Sequence, residues 1–314
     1  MTSVQRPGLG IALIVLMTAC FAVMDTTVKY LGSVVPVLLV LWCRYAFQAL
    51  AMTVWLARSR RRPGGAGFRA AHPRFQAVRG VLLLATSALG FFGVQHLPVA
   101  EFTTINMLAP VIVTLFAAWL LHERVSALRW ALVAGGFVGA LVIIRPGSGL
   151  FGWAVLFPLG AACCYAGFQV LTSKLSALES PFTTHFYTGF VGTLMLTPVL
   201  AASLWWAPQP LAGVPGSALA LLGLVGALGT AGHLMLILAL GMAPTATLMP
   251  FIYVQIGMAG FVSWLVFGHA PDGWGWVGAA IVAACGAGSL WLNAREAAAA
   301  RRPESAVAAD TLPE

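Results

Sequence analysis

Four polar side chains interrupt the first two apolar stretches of the chain: Asp25, Lys29, Arg44 and Gln48. Asp25 and Lys29 are four residues apart, as are Arg44 and Gln48, and on a helix this spacing places both members of a pair on one face. A lone arginine inside an apolar span costs roughly 2.5–3.5 kcal/mol or more, so Arg44 is expected to face a polar cavity or a carboxylate, with Asp25 as its partner. A carboxylate facing a guanidinium can bind both charges of a zwitterionic ligand. The alternative is that Asp25 and Lys29 are solvated caps at a helix end.

A second set of polar groups marks two later stretches. Glu101 and Asn106 open one of them, where Pro110 lacks the backbone donor that would otherwise pair with the Asn106 carbonyl. Tyr253 and Gln255 lie in the corresponding stretch of the second half. We expect these four side chains to line the two sides of a ligand cavity. The threonines beside them can instead bond to their own helices.

A third set of ionisable residues has a more local interpretation. His233 ends a series of glycines at 223, 226, 229 and 232, which is typical of closely packed membrane helices. Its imidazole can carry protons in a cavity or make a buried structural hydrogen bond, and the sequence leaves both open. Lys29, Glu123 and Arg124 are expected in ion pairs or at the membrane interface. For Glu123 we expect capping of a helix turn or pairing with Arg124 or Arg129.

Catalytic and cofactor motifs are missing from the sequence. It contains no H-E-x-x-H, no Walker A lysine loop, no G-x-S-x-G and no His/Cys metal cluster. The five cysteines all fall inside apolar runs, and none forms a C-x-x-C pair. We therefore expect no catalytic residue, no metal and no cofactor, and no direct use of ATP by this chain.

The elements that position these residues must be membrane helices. The chain of 314 residues is 60% hydrophobic and only 8% charged, with a mean hydropathy of +0.91, whereas soluble domains carry about 25% charged residues. Ten apolar stretches approach the ~20 residues that a helix needs to cross the hydrocarbon core. The sequence thus predicts an all-α integral membrane protein with ten transmembrane helices.

Basic residues indicate the orientation of these helices. Seven arginines lie between Arg58 and Arg79, in a stretch that is rich in proline and glycine and that we interpret as an exposed cytoplasmic loop. With this assignment most of the 17 lysines and arginines fall on the cytoplasmic side, and both termini are cytoplasmic. Because the arginines border membrane spans, no nucleic-acid partner is expected.

The two halves of the sequence repeat each other. Lys29 and Lys174 are 145 residues apart, and Pro98 and Pro244 are 146 apart, as are Trp130 and Trp276. We assign residues 1–146 to a first five-helix repeat, 147–294 to a second, and 295–314 to a disordered cytoplasmic tail. Since each repeat has an odd number of spans, the second enters the membrane from the opposite side. Inverted repeats are typical of transporters that work by alternating access around a central site.

A hairpin of two apolar stretches resembles a known family. It opens with Pro98-Val99-Ala100, closes its first helix on Leu120-Leu121-His122-Glu123-Arg124 and ends at Arg145-Pro146-Gly147. These motifs resemble the EamA repeat of the drug/metabolite transporter superfamily, and a weaker copy covers 244–293. Where that family has a second acid matching Glu123, this chain has His269. The pattern Met24-Asp25-x-x-x-Lys29-Tyr30 is similar to a branch that includes S-adenosylmethionine-type transporters, in which an arginine in the second span is also usual.

Several functions are compatible with this pattern. The leading hypothesis is a secondary active transporter in the inner (plasma) membrane for a small polar or zwitterionic metabolite, amino-acid-like or derived from one. Alternatives are an efflux protein for drugs or lipophilic molecules, an S-adenosylmethionine-type uptake transporter, and a membrane enzyme or assembly subunit. The expected partners are a small-molecule substrate and the lipid bilayer. Protons as coupling ion, tested by Asp25→Asn and Glu101→Gln, and a homodimer are left open.

Overall fold

A computed structural model describes residues 6–32, 34–61, 65–96, 106, 108–122, 125–144, 153–206, 215–267 and 273–300. Every regular element in these ranges is helical, as the sequence predicts. A 3-10 turn, Trp153–Val155, precedes α6. The α-helices are α1 (Pro7–Leu31), α2 (Val37–Ser59), α3 (Pro73–His96), α4 (Ala109–Leu120), α5 (Ala127–Ile144), α6 (Leu156–Ser176), α7 (Pro181–Trp206), α8 (Gly216–Leu240), α9 (Thr245–Ile252), α10 (Val254–Phe267) and α11 (Gly273–Ala300).

Prolines set many of the helix starts. Pro7, Pro73 and Pro181 are the first residues of α1, α3 and α7, a position at which the missing N–H has no intrahelical partner to lose. Pro244 stands just before α9, and Pro250 lies inside that helix. The span breaks after Ile252, two residues beyond Pro250, and α10 continues it after Tyr253.

The helices form an all-α integral membrane protein. Five of them are long and apolar enough to cross a bilayer: α1, α2, α7, α8 and the segment from Trp153 to the end of α6. Shorter apolar helices accompany them in α4, α5 and α11. When α9 and α10 are taken as one broken span, the elements correspond to the ten predicted transmembrane helices. Large apolar side chains are exposed on the outside of the bundle, where lipid would contact them, among them Trp119, Trp205 and Trp206.

The packing of the helices has an internal two-fold relation. α1 packs on α8 in the same way that α6 packs on α3, while α2 packs on α7 and α5 on α11. The pair α2 and α7 occupies the same place in the two halves, yet these helices run antiparallel. Trp42 bonds to Thr197 near one end of the pair, and Trp55 stacks on Phe182 near the other. The two repeats are therefore inverted, as the odd number of spans predicts.

The segment between α2 and α3 is fixed to the second repeat. His72 donates its backbone N–H to Glu179 over 2.7 Å, and Thr183 donates to the Gly67 carbonyl over 2.7 Å. These bonds hold the start of α3 against the start of α7. Two boundaries differ from the sequence analysis: α11 continues to Ala300, into the segment assigned to the tail, and α3 begins at Pro73, so that Arg79 lies within a helix and not in the basic loop.

Candidate functional site

A cavity of about 220 Å³, with both polar and apolar side chains in its wall, lies where the two repeats meet. Helices of both halves form its wall, because α1, α2 and α3 face α6, α8 and the broken span α9–α10. Its lining combines charged, amide and hydroxyl groups with aromatic rings. We call it the central cavity, and its polar lining consists of Asp25, Arg44, Thr86, Ser87, Asn106, Tyr165, His233 and Gln255.

Arg44 and His233 form the cationic side of the central cavity. The Arg44 Nη2 atom lies 3.3 Å from both ring nitrogens of His233. The Nδ1 atom of His233 is 2.9 Å from the Gly229 carbonyl, which can only accept. This contact assigns a proton to Nδ1. Because the Arg44 nitrogen is equidistant from the two ring nitrogens, it lies against the imidazole ring and not along the Nε2 lone pair. A neutral imidazole in this position holds the positive charge of Arg44 without cancelling it.

Asp25 supplies the acidic group of the central cavity. Its carboxylate is exposed to the cavity, and Gln255 donates to Oδ2 over 3.4 Å. The expected ion pair between Asp25 and Arg44 is not formed, because within the described residues the only ion pair under 4.0 Å joins His72 to Glu179. The two opposite charges line one cavity but remain apart. Both are therefore available to a ligand placed between them.

Two polar atoms in the cavity wall have no protein partner in the described part of the chain. These are the Nε donor of Arg44 and the Oδ1 acceptor of Asn106. Buried polar groups are normally hydrogen-bonded, and each one left unpaired costs roughly 1–3 kcal/mol. These two groups of the cavity wall therefore keep hydrogen-bonding capacity that the described residues do not use.

Aromatic rings and one glycine shape the cavity. Phe21 packs against the His233 ring with the centroids 4.8 Å apart, and Tyr165 stacks on Phe168 at 6.0 Å. Gly229 leaves the space that Arg44 occupies, since a Cβ there would lie 2.9 Å from Arg44 Nε and 3.3 Å from the Met24 sulfur. The cavity thus combines flat apolar surfaces with hydrogen-bonding groups, as is typical of small-molecule sites.

Two residues expected in the cavity do not line it. Gln48 is buried against α7, where its Nε2 donates to the His185 carbonyl over 2.9 Å and lies 3.1 Å from the ring Nδ1. Tyr253 is buried on the opposite side of its span, packed with Phe137 and Val282. Two residues of helix turn by about 200°, so a span that presents Gln255 to the cavity must turn Tyr253 away from it.

Three of the other predicted residues lie outside the described residues: Glu101, Glu123 and Arg124. For Lys29 only the backbone is described, near the end of α1. The predicted residues that the structure does bring together around the central cavity are Asp25, Arg44, Asn106, His233 and Gln255.

A second polar cluster was not predicted from the sequence. Arg79 is fully buried and donates to Thr172 Oγ1 over 2.6 Å, to the Thr184 carbonyl over 3.0 Å and to Thr188 Oγ1. Its guanidinium also lies over the Phe168 ring, 4.6 Å from the centroid. We call these five residues the Arg79 cluster. It ties α3 to α6 and α7.

Further contacts close the same end of the bundle, which is the end at which α1 begins. Arg129 donates to Thr247 over 2.7 Å, and Thr245 donates to Ser173 over 3.0 Å. The backbone N–H of Arg6 bonds to the Met242 carbonyl over 3.0 Å. The Arg129 and Arg6 bonds and the Arg79 cluster join helices of both repeats, so separation of the repeats at this end requires them to break. The bond between Thr245 and Ser173 joins α9 to α6 within the second repeat.

The geometry defines a membrane protein with a polar cavity between inverted repeats, and the comparisons with known proteins agree. Residues 8–145 and 152–290 each match the model of the EamA-like transporter family. The chain belongs to this family, which is a family of transporters and not of enzymes.

Individual relatives have more specific names. The chain is 29% identical over 305 residues to a riboflavin transporter of Rhizobium johnstonii, covering 95% of both chains. It is 27% identical to a riboflavin transporter of Brucella anthropi, covering 91% of this chain and 99% of that protein. An S-adenosylmethionine uptake transporter of Rickettsia prowazekii is 23% identical over 84% of this chain and 86% of its own length. A solved crystal structure matches with a TM-score of 0.70 at 18% identity, covering 91% of this chain and 96% of that one, and it supports the fold alone.

Proposed function

We propose that this protein is a secondary active transporter that moves a small polar metabolite across the inner membrane by alternating access. The observation that carries the proposal is the central cavity, in which Asp25 and Arg44 face one space between two inverted repeats without neutralising each other. Charged groups at this depth in a membrane protein are costly and mark substrate or ion paths. Both termini face the cytoplasm in this proposal, and the driving force is a gradient or an exchange.

Riboflavin is the substrate that we propose first. Its planar ring system carries an imide edge with two carbonyl acceptors and one N–H donor, and its ribityl chain carries hydroxyls. Arg44 and the side-chain amide of Gln255 can donate to carbonyls, while Asp25 and Asn106 can accept an N–H or O–H. Phe21 and Tyr165 offer aromatic faces to the ring. The riboflavin transporters of Rhizobium johnstonii and Brucella anthropi, which match along 95% and 99% of their length, support this choice.

S-adenosylmethionine is the second candidate, and the separated charges of the cavity favour it. It carries a carboxylate that Arg44 can bind, and it has an ammonium and a sulfonium that Asp25 can face. Its adenine ring needs an aromatic wall, as riboflavin does. The uptake transporters for this compound among the relatives are more distant, at 23–24% identity.

Counterflow in proteoliposomes separates the candidates. Vesicles that contain purified protein are loaded with unlabelled riboflavin or unlabelled S-adenosylmethionine, and uptake of the same radiolabelled compound is followed against empty vesicles. We expect riboflavin-loaded vesicles to accumulate label transiently above the control. Uptake only into vesicles loaded with S-adenosylmethionine would make that compound the proposed substrate in place of riboflavin. Uptake in neither arm, with protein shown to be folded, would contradict both substrates.

A further inference from the structure

The Arg79 cluster holds a positive charge that no acidic residue balances in the described part of the chain. Arg79 is completely buried, and no described carboxylate lies within 4.0 Å of it. Burying an ion without a counter-charge is expensive, and an apolar side chain of similar size would often serve packing as well or better. Charged residues that are kept inside a membrane protein at such a cost usually mark a functional site.

The cluster also has unused hydrogen-bonding capacity. Two hydroxyls and one carbonyl accept from Arg79, yet its Nη2 atom has no partner among the described residues. Gln169, one turn before Thr172 on α6, is fully buried as well, and neither its amide nitrogen nor its oxygen has a partner there. A guanidinium nitrogen and an amide with both atoms unpaired are groups that recognise an oxygen acceptor.

The cluster is linked to the central cavity through α6 and through Phe168. Tyr165, Gln169 and Thr172 follow each other at intervals of four and three along α6, so they share one face of that helix. Phe168 contacts both sites, since its ring lies 6.2 Å from that of His233 at the cavity and 4.6 Å from the Arg79 guanidinium. Movement of Phe168 away from Arg79 would therefore connect the cavity with the closed end of the bundle.

We propose that Arg79 is a second substrate-recognising cation, which binds a carbonyl or carboxylate oxygen of the transported molecule when the path opens beyond Phe168. In the closed arrangement described here, Thr172, Thr184 and Thr188 take the place of that oxygen. Arg44 thus binds the substrate in the arrangement that is open at the central cavity, and Arg79 binds it in the arrangement that is open beyond Phe168. This inference rests on the proposed transport function.

Transport kinetics measured from each membrane face test the proposal. Proteoliposomes of known orientation give a riboflavin KM at either face. We expect Arg79→Gln to raise the KM at the face beyond Phe168 about tenfold relative to the KM at the other face, as loss of a charge-assisted hydrogen bond predicts. Thr188→Val keeps the guanidinium and removes one competing partner, so it should shift the same ratio in the opposite direction.

A purely structural Arg79 predicts a different pattern of kinetics. The ratio of the two KM values would then stay at that of the unaltered protein in both variants, whatever their melting temperatures, and this result would overturn the proposal. If Arg79→Gln cannot be recovered folded, Thr188→Val decides alone, because an unchanged ratio in that variant contradicts a recognising role.

Chemical modification of Arg79 without substrate tests the role of this residue independently of the proposed transport of riboflavin. Purified protein is treated with phenylglyoxal, and modified arginines are mapped by mass spectrometry. We expect slow modification of Arg79 in protein that stays monodisperse, because the open state exposes the guanidinium to water. An Arg79 that is never modified would overturn the proposal even if riboflavin is exchanged. Modification of Arg79 without riboflavin exchange would support it and leave only the substrate assignment wrong.

Discussion

Arg44 and Arg79 both lie among the helices, but they differ in what surrounds them. Arg44 is half-buried at a cavity, touches a neutral imidazole and has a carboxylate in the same space. Arg79 is fully buried, bonds to hydroxyls and a backbone carbonyl, and packs on an aromatic ring. The same side chain thus stands at a site that is open to a ligand and at one that the protein itself has filled. The comparison indicates that the structure is open at the central cavity and closed at the Arg79 cluster.

The largest expected effect concerns the open site. Arg44→Gln should weaken riboflavin binding about 30-fold, since loss of a charge-assisted hydrogen bond costs ~2 kcal/mol. Flavin fluorescence of the purified protein measures the Kd. Arg58→Gln, an exposed arginine of the same helix, is the matched control and should bind like the unaltered protein. Equal riboflavin affinity in the two variants would show that Arg44 does not bind riboflavin.

A smaller effect is expected at the closed site, and on stability instead of binding. Thr188→Val removes a hydroxyl acceptor of Arg79, so the free energy of unfolding should fall by about 1–2 kcal/mol. The control is Thr193→Val on the same helix, whose hydroxyl bonds only to the Gly189 carbonyl one turn earlier. Denaturation of both variants in the same detergent measures the difference. If both variants lose the same free energy of unfolding, the hydrogen bond between Thr188 and Arg79 does not stabilise the protein.

The smallest effect tests how closely the open site is packed. Gly229→Ala places a methyl group 2.9 Å from Arg44 Nε, so the arginine must shift, and riboflavin affinity should fall about threefold. Gly223→Ala on the same helix meets nothing within 4 Å and is the control. A titration that finds the same Kd for both variants would show that the position of Arg44 tolerates this displacement.

The class of the protein and much of the open site could be predicted from the sequence. Composition indicates membrane helices, and the repeat spacing predicts inverted halves. Asp25, Arg44, Asn106, His233 and Gln255 are recognisable because a polar group inside an apolar run must face something polar. Gln48 follows the same rule, but its polar surroundings are at His185 and not in the cavity. Which interior group a helix face meets depends on the packing of its neighbours, and spacing along one helix does not contain that information.

The closed site shows where the prediction failed. Arg79 ends a series of arginines that mostly lie in a loop, so its charge was attributed to membrane orientation. The residues after Pro73 distinguish Arg79 from the arginines of the loop. Gln76 and Arg79 are buried, while Phe75 and Val78 are exposed. In a membrane helix the polar face turns inward and the apolar face meets lipid. Applied from Pro73 onward, this rule would have placed Arg79 in the interior.

Labelling from each membrane face shows whether the central cavity and the Arg79 cluster are reached from opposite sides. In a variant without the five native cysteines, Ser87→Cys reports on the central cavity, and Gln169→Cys reports on the space beside the Arg79 cluster. A membrane-impermeant thiol reagent is applied to oriented vesicles from one face and then from the other. The account predicts labelling of Ser87→Cys from one face and slower labelling of Gln169→Cys from the opposite face. Labelling of both from the same face, or of Gln169→Cys from neither, would contradict it.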